Sequence, residues 1–145
     1  MRTEVFVAAS DDEAKGCLYS GAAAAGVPAV HASDVTALEL DLLQSVLTGE
    51  PLKRVLREPG GGILAYGGTE GPWVEGVRPT LAEALAALAP DRVPLVAGAW
   101  HAQRELTGID LPIVERLLTE LVSLAVAARD SGGQLYLRNA LDATG

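Results

Sequence analysis

The sequence predicts an α+β domain, a small mixed and largely antiparallel sheet of about four or five strands packed against several helices. Three observations carry this. Short runs rich in β-branched and aromatic residues are bounded by Gly, Pro, Asn and Asp. Three Ser/Thr-x-x-Glu patterns each stand at the head of a stretch with helical apolar spacing. The composition, 49% hydrophobic and 21% charged, is that of a folded chain, since disordered chains are poorer in apolar residues. At 145 residues one domain spans 1–145 and buries roughly 68–70% of the surface of its unfolded form without help from disulfides or metals.

The elements follow in order. Thr3 to Ala8 reads as a strand, and Ser10-Asp11-Asp12-Glu13 as a capping box opening a helix toward Ala25, with Gly16 and Gly21 as weak points inside it. Val27 to His31 reads as a short second strand. Thr36-Ala37-Leu38-Glu39 repeats the box, with Leu38, Leu42, Leu43, Val46 and Leu47 at helical spacing and Gly49 as the stop. Pro51 suits the first turn of a short helix through Leu56, ended by Pro59 and the glycines.

Ile63 to Tyr66 and Trp73 to Val77 have strand composition. Thr80-Leu81-Ala82-Glu83 is the third box, just after Pro79, and opens a helix carrying Leu85 and Leu88. Asp91 is placed to cap a further helical segment through Leu106, interrupted by Pro94 and Gly98. From Asp110, the residues Leu111, Val114, Leu117, Leu118, Leu121 and Leu124 mark one apolar face that continues through Ala125 and Ala128 to Gly132. Gln134 to Leu141 alternates like a final strand.

The segment Pro59–Val74 holds six glycines and invites comparison with a phosphate-binding loop. Such a loop follows a strand and opens a helix, so that backbone N–H groups and the helix dipole face the anion. Here a short helix precedes Gly60 and strand-type residues follow Gly62, with no Gly-Lys-Ser/Thr. Glycines at 67, 68 and 71 fit a hairpin between antiparallel strands instead.

The lone Cys17 closes no intramolecular disulfide, and two histidines give no zinc spacing. No metal or other cofactor is expected. A net charge of -8, with only Lys53, Arg54 and Arg57 clustered, argues against nucleic acid, whose affinity comes from neutralised phosphates. No apolar run is long enough to cross a membrane, so a soluble cytoplasmic chain is expected.

Candidate chemistry is thin. His31 and Asp34 offer a base with an orienting carboxylate, or a strand end and a helix cap. The run Ala99–Leu106 is the densest polar and aromatic cluster, and helical spacing would pair Trp100 with Arg104 and His101 with Glu105. Trp100 reads either as a ligand wall or as a core anchor whose indole N–H finds a carbonyl, and Trp73 carries the same two readings. Cys17 reads as a buried inert thiol, and the acidic Ser10–Glu13 run as a cap.

Leu47-Thr48-Gly49, Gly71-Pro72-Trp73-Val74, the Trp100 segment with Ala102-Gln103-Arg104-Glu105-Leu106, and Ala128-Arg129-Asp130-Ser131-Gly132-Gly133-Gln134 occur in an order that resembles a group of small uncharacterised actinobacterial proteins. The likeness covers roughly Val35 to Leu137, and at greater distance the chain is similar to the YfbM-like proteins of unknown function. The resemblance implies no catalytic residues. The expectation is therefore a small acidic protein acting by binding a protein partner, a basic one, as an immunity protein or accessory regulator does. The alternative is an enzyme or small-ligand receptor with a cleft formed by His31, Trp100, His101, Arg104 and Glu105. A homodimer in which the first and final strands pair across two copies is a third possibility.

Overall fold

The computed structural model of the chain describes residues 1–141. Five strands, β1 (Arg2–Ala8), β2 (Ala29–Ser33), β3 (Ile63–Tyr66), β4 (Trp73–Gly76) and β5 (Gln134–Ala140), form one sheet in the order β2-β1-β5-β4-β3. Every neighbouring pair is antiparallel, and with seven α-helices among the described residues the fold is α+β. β1 and β5 pair with each other along seven residues in the middle of the sheet. They leave no edge for the cross-copy pairing considered above, and the outer strands are β2 and β3.

Strand alternation sends successive side chains to opposite faces, and both faces are covered. One face, with Val5, Val7, Val30, Leu135 and Leu137, packs against α3 (Ala37–Thr48), α5 (Pro79–Ala86), α6 (Val93–His101) and α7 (Leu111–Ser131). On the spine of this layer, α7, the residues Val114, Leu117, Leu118, Leu121 and Leu124 are buried, at roughly 1.5–3 kcal/mol for each leucine. Leu111, expected on the same apolar face, lies in the first turn and stays exposed. The other face, with Phe6, Ala8, Val74 and Tyr136, packs against Ala14, Cys17, Leu18 and Ala22 from the short helices α1 (Asp11–Lys15) and α2 (Gly21–Ala25).

Two expected helices are interrupted. The segment from Ser10 to Ala25 is not one helix: α1 stops at Gly16, and α2 restarts at Gly21, whose φ is 82°. The segment to Leu106 also divides, into a 3₁₀ turn at Pro90–Arg92, α6, and a second 3₁₀ turn at Arg104–Leu106. Asp91 lies inside the first 3₁₀ turn and caps nothing.

Of the three capping boxes, the first forms, with Ser10 Oγ accepting from the Glu13 N–H. In the second, Thr36 is the N-cap but its hydroxyl donates to Glu39 Oε2 at 2.6 Å rather than accepting from the backbone. The third does not form, because Pro79 already supplies the first helical residue and Thr80 falls inside the helix. α4 (Leu52–Val55) and the turn after it present Lys53, Arg54 and Arg57 to solvent.

Candidate functional site

Trp100 sits at the centre of the helical layer with no exposed surface, and its indole N–H donates to the Glu39 carbonyl at 2.9 Å. It is a core anchor. The helix ends at His101, so the i,i+4 pairings with Arg104 and Glu105 are not made, and both of those residues are exposed on the following turn. His101 Nε2 lies 2.8 Å from the Ile109 carbonyl. A carbonyl only accepts, so Nε2 carries the hydrogen, and the ring braces the loop entering α7. Trp73 is half-buried on β4, opposite Tyr66 of β3.

His31 is elsewhere, exposed on β2 with its Nδ1 3.7 Å from Glu4 Oε2. Asp34 does not orient it. That residue has φ 58° and takes the Met1 amine on Oδ1 at 3.0 Å. The structure therefore does not gather His31, Trp100, His101, Arg104 and Glu105 into one cleft.

Beneath His31 lies a polar cluster invisible to motif reading. Glu4 and Arg138 are direct cross-strand partners between β1 and β5, and the ion pair closes at 3.0 Å with each side chain 10% exposed. The guanidinium also donates to the carbonyls of Leu18 at 2.8 Å and Tyr19 at 3.0 Å, while Glu4 Oε2 accepts the Ala22 N–H. This explains the broken first helix. The turn between α1 and α2 frees two carbonyls to face Arg138, and Gly21 is needed because a Cβ there would stand 2.8 Å from Glu4 Oε1. Cys17, buried nearby, donates to the Glu13 carbonyl, and its thiol is pushed up by burial and by Glu13 and Glu4.

The first glycine group has its own occupant. Arg78, at the base of α5, pairs with Asp41 at 3.0 Å and donates to the carbonyls of Glu58 at 2.6 Å and Gly60 at 3.2 Å. The loop thus turns carbonyls toward a cation, the reverse of an anion cradle. Gly67 to Pro72 forms the hairpin, closed by the Gly67 N–H to the Pro72 carbonyl at 2.8 Å. Close by, Glu75 is raised above the usual carboxylate range, first by burial and then by the Asp41 charge. No group of His, Cys, Asp and Glu suited to hold a metal ion occurs among the described residues.

An extended open feature follows the outer edge of β2. Two adjoining depressions, of about 650 and 620 Å³, are lined by every residue from Pro28 to Val35 on one side and by α7 with its entering loop on the other. Together they make one trough. The hydrogen bonds Val7 N–H to Pro28 O and Asp34 N–H to Met1 O fix which β2 residues bond β1. By antiparallel alternation Val30 and Ala32 also face β1, whereas the N–H and C=O of Ala29, His31 and Ser33 face the trough. Its walls carry Asp34, Asp110 and Glu120 against Arg116, and its floor carries Ile109 and Leu117.

Sequence reasoning had singled out His31 and Asp34 here, but not the trough, since the approach of α7 to β2 spans some eighty intervening positions that no local pattern connects. No helix among the described residues is long and apolar enough to cross a membrane. Comparison with family models, with curated proteins and with solved structures finds no match for this chain.

Proposed function

We propose that this chain is a small acidic binding protein whose partner is a basic segment of another protein, taken up in extended form along β2. The observation that carries the reading is the pairing of an unpaired strand edge with a continuous trough beside it. Main-chain groups of Ala29, His31 and Ser33 offer a ladder to an added strand, and such addition draws affinity from the backbone and specificity from alternate side chains.

Charge selects the occupant. With Asp34 held by the Met1 amine, Asp110 and Glu120 stand against Arg116 in the same half of the trough, within a chain of net charge -8, so lysines and arginines in the added strand would be steered in and held. A second copy of this chain would bring the same carboxylates face to face.

Selection from a displayed library of random unstructured peptides is the test. Lysine- and arginine-rich peptides are expected to be enriched on the natural chain and lost on a D110K/E120K variant. Enrichment of neutral or acidic peptides, or indifference to the charge reversal, would refute the reading, and a dimer held through β2 in light scattering would replace it.

A further inference from the structure

A separate depression of about 330 Å³ lies on the opposite face of the β1–β2 edge, where Arg2, Glu4, His31 and Arg138 meet Tyr19 and Ser20 of the α1–α2 turn. We infer that this pocket binds a small oxyanion, the phosphate or carboxylate end of a metabolite-sized ligand, through Arg2, His31 and the remaining donors of Arg138.

The argument starts from which charges are already spent. Glu4 is the one carboxylate of the pocket, and its oxygens are occupied. Oε1 takes Arg138 Nη1, while Oε2 takes the Ala22 N–H and faces His31. Glu4 and Arg138 neutralise one another, which leaves the Arg2 guanidinium as the excess positive charge of the pocket, with the His31 ring beside it as a further hydrogen-bonding group. A guanidinium has five N–H donors. Three of Arg138's go to Leu18 O, Glu4 Oε1 and Tyr19 O, so two remain on a group that lines the pocket and is itself nine-tenths buried.

A guanidinium locked by three bonds is a preorganised donor, and its planar fork matches oxyanions. The cavity is at the small end of the range for ligand sites, which suits a compact anion. The acidic surface elsewhere does not cancel this, because at physiological ionic strength charges beyond about 8 Å are largely screened. The pocket shares His31 and Ala32 with the trough, which opens on the α7 side, while Arg2, Tyr19, Ser20 and Arg138 belong to the pocket alone.

The experiment is a titration of the full chain with inorganic phosphate and, separately, with succinate, at constant ionic strength set by chloride and read by backbone amide NMR shifts. The expected result is a saturable response at Tyr19, Ser20 and His31 with at least one probe, and the probe that saturates identifies the anion class. An R2A/H31A variant, which leaves the Glu4–Arg138 pair in place, is expected to bind about tenfold more weakly or worse, the scale of losing a hydrogen bond to a charged group. No saturable response to either probe, a response confined to Lys53, Arg54 and Arg57, or unchanged binding by the variant would overturn the proposal.

Discussion

Arg138 is the residue on which one face of the sheet is organised, since a single guanidinium ties β5 to β1 through Glu4 and to the α1–α2 turn through Leu18 and Tyr19. Removing one partner of a buried pair strands the other. Arg138→Met alone is expected to cost about 3–5 kcal/mol, and the double variant Glu4→Leu/Arg138→Met to recover much of that loss. Denaturant unfolding of the two singles and the double checks this, and a double variant no better than Arg138→Met would show that the pair does not act as a unit.

Glu75 supplies a second residue-level prediction, with its sign fixed by linkage. Burial and the neighbouring Asp41 raise its folded pKa, so between the unfolded and the folded value the native state holds more protons than the unfolded one. Stability from this group is then greatest at acidic pH and falls as pH rises through the folded pKa. Glu75→Gln removes the ionisation. The variant is expected to be more stable than the natural chain at pH 7, by less than about 1 kcal/mol because the group keeps some contact with solvent, with the gap narrowing toward pH 4. Thermal unfolding across that range checks it.

At the scale of elements, the turn around Arg78 makes the most specific demand on sequence. Gly60 has φ 92°, and a Cβ there would lie 2.7 Å from Pro79 Cδ. Gly60→Ala is expected to destabilise by about 1–3 kcal/mol through backbone strain and collision, while Gly62→Ala, with open space around it, meets only the positive φ. Chemical denaturation of the two variants side by side reads the difference.

The elements themselves were largely legible. The apolar stripe of α7 and the hairpin glycines at 67, 68 and 71 are local signals, and local geometry honours them. What stayed hidden is long-range. No pattern near Ser10 says that its helix must break to offer carbonyls to an arginine 120 positions away from Leu18. In the same way, α3 buries Asp41 and Gln44 beside its leucines because Arg78 and Glu58 bond to their side chains, and neither partner lies within the helix's own stretch of sequence. The candidate site was half visible, in His31, and its meaning depends on register and on the approach of α7.

For the whole molecule, the topology gives one edge two different surroundings. Placing β1 and β5 at the centre leaves β2 outermost, with its backbone turned to the trough on the α7 side and the side chain of His31 turned to the arginine pocket on the other. On the added-strand proposal the acidic balance favours a basic partner, and salt is expected to weaken that association.

The most direct trial of the added-strand reading is Ser33→Pro. The N–H it deletes faces the trough rather than β1, the position where an edge strand tolerates proline. In a titration with a selected basic peptide, followed by amide hydrogen exchange, the natural chain is expected to gain protection at Ala29, His31 and Ser33. Ser33→Pro should keep its unfolding midpoint near that of the natural chain and lose the binding. A peptide that binds both chains equally, or that leaves those three amides exchanging as before, would contradict the account.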